Sequence, residues 1–113
     1  MSLSMEDVRR VLDPDEPDYA SAAGLGADAL PHLEELVTGE DPMLASKATF
    51  AASLITGGSE AVQTAARSED PVVRVAAAAA ARNLPRESAE QVLRRLSDDD
   101  DAGIRKVARA SRR

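Results

Sequence analysis

Cysteine and tryptophan are absent from this sequence, and Tyr19 and Phe50 are its only aromatic residues. Without cysteine there is no disulfide scaffold, thiolate metal site or cysteine nucleophile to consider. A single histidine, His32, rules out a multi-histidine metal centre. No apolar run approaches the roughly 20 residues of a membrane-spanning helix, and no segment reads as a secretory signal. The expectation is a cytoplasmic chain with no cofactor, no metal and no membrane contact. Lysine is scarce too, with Lys47 and Lys106 the only two among 14 basic residues. That scarcity beside abundant Ala, Asp and Arg suggests a high-GC prokaryotic source. Met1-Ser2-Leu3 reads as a cloning remnant, with Met5 a candidate natural start.

What the chain does contain is alanine. Of its 113 residues 43% are hydrophobic, and alanine alone supplies 22. A core built on so small a side chain must bring backbones close together, which points to helices in tight contact. The length fits one domain, since domains commonly run to roughly 100–150 residues. Net charge is −6, unevenly placed. Residues 1–42 hold 11 acids against Arg9 and Arg10, a local charge of −9. Residues 43–113 hold 9 acids against 12 bases, a local charge of +3. An acidic total with few aromatics disfavours nucleic-acid binding, which draws on a basic surface and base stacking.

The chain repeats itself. Glu40-Asp41-Pro42 returns as Glu69-Asp70-Pro71 after 29 residues, and a degraded copy, Asp100-Asp101-Ala102, follows 31 later. Glu16-Pro17 is a worn earlier copy. Acid-acid-Pro suits a helix start: the Asp caps free N–H groups, and proline tolerates the first helical position. Two residues after the Pro position stand Tyr19, Leu44, Val73 and Ile104, and six after it stand Ala23, Ala48, Ala77 and Ala108. Those offsets lie one turn apart on one helical face. Large then small at fixed places is how neighbouring helices nest.

Each first helix then breaks, at Leu30-Pro31, Gly57-Gly58 and Leu84-Pro85. Counting back from each Pro position aligns a second helix, with Leu33, Val62 and Leu93 nine before it and Leu36, Ala65 and Leu96 six before. The spacing predicts a leading helix over 4–12, pairs at 17–25 and 30–38, 42–56 and 59–68, 71–84 and 86–97, and a last helix over 102–111. No strand pattern appears.

The unit Asp70-Pro71-Val72-Val73-Arg74-Val75-Ala76-Ala77 resembles the HEAT repeat, as does Ala29-Leu30-Pro31 with Leu33 and Leu36. The period is similar to the short HEAT-like repeat of phycobilin lyases. The resemblance extends over residues 16–113 and is strongest in the third copy. It implies an all-α fold, an α-α superhelix or HEAT-like solenoid of about three helix pairs with an extra helix at each end. The whole chain, 1–113, is then one domain: 1–15 an N-terminal capping helix and 16–113 the repeats. In the family, the motif Asp and Arg often bond between neighbouring repeats. Asp41, Asp70 and Asp101 match that Asp, Pro42 and Pro71 the proline, and Arg74 and Arg105 the Arg. Ala20 and Ala45 replace the Arg in the first two copies, so such a ladder is incomplete.

Candidate sites are few. His32 aligns with Ala61 and Val92, so it reads as half-buried packing rather than a proton shuttle. Asp98 to Asp101 lacks the alternating ligands and closing Glu of a calcium loop and reads as a solvated cap. Arg105, Lys106, Arg109, Arg112 and Arg113 suit the C-terminal end of a helix dipole. On the second helices, the residues eight and seven before each Pro position point away from the apolar stripe. They are Glu34 and Glu35, then Gln63 and Thr64, then Arg94 and Arg95. One ridge thus runs from acidic through neutral to basic.

The resemblance implies that second helices line a concave face. The expected function is a non-enzymatic protein–protein interaction scaffold whose groove takes another protein. The alternative it implies is a phycobilin-lyase-like subunit or chromophore-handling factor, against which the missing cysteine and scarce aromatics count. A HEAT-like nucleic-acid binder is a further reading, less favoured by charge. The unpaired last helix offers Ile104, Val107 and Ala108 as a surface for self-association.

Overall fold

A computed structural model describes residues 3–112; Met1 and Ser2 of the expected cloning remnant lie outside the described residues, as does Arg113 of the basic C-terminal end. Every regular element among the described residues is helical. In chain order they are α1 (Met5–Leu12), α2 (Tyr19–Gly24), α3 (Leu30–Val37), α4 (Pro42–Ser53), α5 (Ser59–Ala66), α6 (Pro71–Ala80), α7 (Arg86–Leu96) and α8 (Ala102–Ser111). Short 3-10 turns at Gly26–Ala29 and Ala81–Asn83 join α2 to α3 and α6 to α7.

The helix starts follow from their caps. Asp41 Oδ1 accepts from the backbone N–H of Met43 and Leu44 at 3.0 and 3.1 Å. Asp70 Oδ1 accepts from Val72 at 2.8 Å, and Asp101 Oδ1 from Gly103 and Ile104 at 2.7 and 3.2 Å. Pro42 and Pro71 occupy the first turns they open, where a missing N–H loses nothing. The first copy departs from this pattern. There Asp18 is the cap, accepting from the Ser21 N–H and hydroxyl, so α2 begins two residues later than Pro17 implied. It also ends early, at Gly24, because Gly26 takes a positive φ of 74°.

The end of α4 falls at Ser53 rather than at 56. Gly57 turns the chain with φ 93°, and a Cβ on Gly58 would collide with the backbone carbonyl of Ala52. Glycine is needed at both places, for conformation at one and for close approach at the other. Between α6 and α7, Leu84 is extended (φ −88°, ψ 159°), the conformation that the following proline favours.

Packing sorts the helices into two layers. In one, α4 lies between α2 and α6, and α6 meets α8. In the other, α5 lies between α3 and α7, and α1 covers α2, α3 and α4 at one end. Of the 26 buried hydrophobic residues, 14 are alanine. Ala48, Ala77 and Ala108 are fully buried where the first-layer helices approach, while Ala23 is only half-buried. The molecule measures 42 × 26 × 20 Å, with a radius of gyration of 13.1 Å.

One sequence expectation is corrected here. The apolar face of α8 is not left open: Ile104 and Ala108 are buried, and only Val107 keeps partial exposure. With two helices, α6 and α7, to pack on, α8 buries its stripe within its own chain.

Candidate functional site

On α3, α5 and α7 the apolar residues turn inward, with Leu33, Val62, Ala65, Leu93 and Leu96 buried and Leu36 half-buried. That orientation sends the alternate positions outward. Glu34 and Glu35 are exposed on α3, Gln63 and Thr64 half-buried on the central α5, and Arg94 and Arg95 exposed on α7. Because α5 touches both neighbours, the six residues occupy three adjacent helices in the order read from the sequence.

The contacts along this ridge differ from one end to the other. Among the described residues, the carboxylates of Glu34 and Glu35 and the guanidinium of Arg95 make neither a hydrogen bond nor an ion pair. Gln63 Nε2–H donates to Gln91 Oε1 on α7 at 2.9 Å, tying the central helix to its neighbour. Arg94 lies 3.7 Å from Glu90, and Arg112 donates to the same carboxylate oxygen at 2.6 Å. The basic end is therefore moderated by one acid, whereas the acidic end is not.

Sequence reasoning missed Arg67. It stands one turn beyond Thr64, exposed, and borders two clefts. One, of about 450 Å³, runs past Thr38, Gly39, Glu40 and Thr64; the other, of about 390 Å³, runs past Arg74, Arg95 and Asp98. The signal was available: position four before the Pro, where Thr38 and Asp98 stand in the neighbouring copies.

The motif residues do not join this ridge. Arg74 donates through Nη1 to the carbonyls of Ser68 and Glu69 at 2.9 and 3.1 Å. At the equivalent place, Arg105 donates to the carbonyls of Asp99 and Asp100 at 2.7 and 3.1 Å. Each arginine thus closes the loop that leads into its own helix. Arg74 also grips Asp99 with two further bonds, 2.9 and 3.3 Å, from Nε and Nη2. The bond between copies runs to Asp99, not to Asp70 or Asp101, because those aspartates are committed to capping. The two side chains are 19% and 10% exposed. Burial works against ionisation of Asp99, but the Asp101 N–H, Arg74 and the charge of Arg105 outweigh it and hold the carboxyl below its ordinary range.

His32 anchors the N-terminal segment, donating from Nε2 to the carbonyl of Leu3 at 2.8 Å. Tyr19 and Phe50 meet edge to face at 4.8 Å between centroids, with Arg82 5.8 Å over the Phe50 ring. Burial pushes the Tyr19 hydroxyl up. No known family model matches the chain, and no curated protein matches it.

Proposed function

We propose that this chain is a non-enzymatic interaction scaffold of the HEAT-like class, an α-α superhelix whose second helices α3, α5 and α7 form the groove that binds another protein. The element order and the two helix layers support the architecture. One observation carries the functional reading. Repeat-equivalent residues on three adjacent helices expose Glu34 and Glu35 at one end and Arg94 and Arg95 at the other, with Glu34, Glu35 and Arg95 unpaired within the described chain. Complementary charge of this kind orients a partner and raises its association rate more than it raises affinity.

The test is affinity capture from an extract of the source cells. Bait proteins would be the wild type, Arg94→Glu/Arg95→Glu, Glu34→Arg/Glu35→Arg, and a control, Lys106→Glu, at an exposed position of α8. A partner lost with either ridge variant and kept with the control supports the reading. A partner lost only with the control places the binding face elsewhere.

A further inference from the structure

We infer that the ridge on α3, α5 and α7 also pairs with a second copy of this chain, turned about a two-fold axis parallel to α5. This rests on the ridge being a binding surface and adds an occupant for it. The ridge is acidic at α3, uncharged at Gln63 and Thr64, and basic at α7. A two-fold along the central helix exchanges its two ends, so Glu34 and Glu35 of each copy face Arg94 and Arg95 of the other. A surface that changes sign about its own middle is complementary to itself, which is what an isologous interface requires.

Within one chain these charges cannot satisfy one another. Two helix-to-helix steps of 8–10 Å put the ends roughly 16–20 Å apart, beyond the Debye length of about 8 Å at physiological salt. The wider charge distribution points the same way, because residues 1–42 carry −9 and residues 43–113 carry +3. The exchanged arrangement sets the acidic part of one copy against the basic part of the other. The exposed large apolar residues, Met43, Leu54 and Val72, all lie off this ridge, so the pairing has no aromatic or aliphatic anchor. It is weak, reversible and sensitive to salt. Arg67 and Glu60, both exposed on the outer face of α5, stand on the axis and each meets its own copy, so two like-charge contacts sit at the middle of the arrangement.

Sedimentation velocity of the whole chain, up to about 1 mM and at about 50 and 500 mM salt, tests this. The wild type should dimerise at low salt, with a dissociation constant at least about tenfold weaker at high salt. Glu34→Arg/Glu35→Arg alone and Arg94→Glu/Arg95→Glu alone should stay monomeric, because each makes both facing ends alike. Mixed in equal amounts they should form a one-to-one dimer, since both contacts are then complementary. Arg67→Ala should tighten the wild-type pairing. A monomeric wild type at low salt overturns the inference, as does a dimer that either double variant retains or that mixing fails to restore. If a variant does not fold by circular dichroism, the wild-type salt dependence and the Arg67→Ala comparison decide instead. A wild type that stays monomeric yet loses its foreign partner on ridge reversal removes the self-pairing and leaves the groove; a loss of neither removes both.

Discussion

At the scale of single residues, the fold depends on alanine where helices touch and on two arginines where loops close. Ala77 is fully buried in the first layer, whereas Ala79, two residues on, is exposed. Ala77→Leu should overpack the contact and cost roughly 1–3 kcal/mol, while Ala79→Leu should be nearly neutral. Equal shifts of the two variants in urea titrations would contradict the assigned helix faces. Arg74 is the most heavily bonded side chain among the described residues, so Arg74→Ala should cost about 1.5–3 kcal/mol, the range for hydrogen bonds to charged groups. Its partner also gives stability a pH dependence. The Asp99 carboxyl is held below its ordinary 3.8 in the folded chain, so its contribution is complete above that value and disappears as pH falls through the lowered one. Removing Arg74 relaxes that depression. The acid limb of stability against pH, followed by urea midpoints, should therefore be shallower in Arg74→Ala than in the wild type. Parallel limbs would mean that Arg74 is not what lowers Asp99.

Among the elements, α1 is tied down more firmly than a chain end usually is. Val8 and Leu12 are fully buried, His32 holds the carbonyl of Leu3, and Lys47 Nζ donates to the carbonyls of Asp13 and Pro14 at 3.3 and 3.0 Å. A Ser4–Asp7 capping box fixes its start. Leu12→Ala should destabilise by roughly 2–5 kcal/mol, and removing residues 1–14 should lower the melting temperature and raise dye binding to exposed apolar surface. A truncated chain with an unchanged melt would show that α1 covers nothing of consequence. Legibility varied between elements for physical reasons. Acid-acid-Pro marks α4 and α6 because the cap is local: a carboxylate two or three residues from the N–H it satisfies needs no tertiary partner. Spacing from Glu16-Pro17 puts the start of α2 two residues early, because Asp18 takes the capping task with a shorter, better-placed side chain. Sequence spacing runs α4 three residues too far, because its end at Ser53 is set by the approach of Gly58 to Ala52, which spacing does not express.

For the whole molecule, the ridge was legible because a repeat alignment converts sequence position into helix face. Its energetics were not. The Gln63–Gln91 bond and the Glu90 carboxylate shared by Arg94 and Arg112 depend on which helices become neighbours and where long side chains settle. The same neighbour relations predict how stability is distributed. In the proposed stack each unit rests mainly on the units beside it, so protection against hydrogen exchange should fall from the middle outward. Helix α4 has seven buried residues and packs against α1, α2, α3, α5 and α6, whereas α2 has six residues in all and buries only Ala22. Amides of α4 and α6 should exchange only through global unfolding. Those of α2 should exchange at least about tenfold faster through local opening, with α8 between these limits because Asp101, Arg105 and Arg109 hold it to the preceding loop. Arg109 donates to the carbonyl of Ser97 at 3.0 Å, so Arg109→Ala should move α8 toward the rate of α2 while leaving α4 unchanged. A single exchange rate shared by the eight described helices would mean that the chain opens as one cooperative body, which would count against the proposed stacked-repeat architecture.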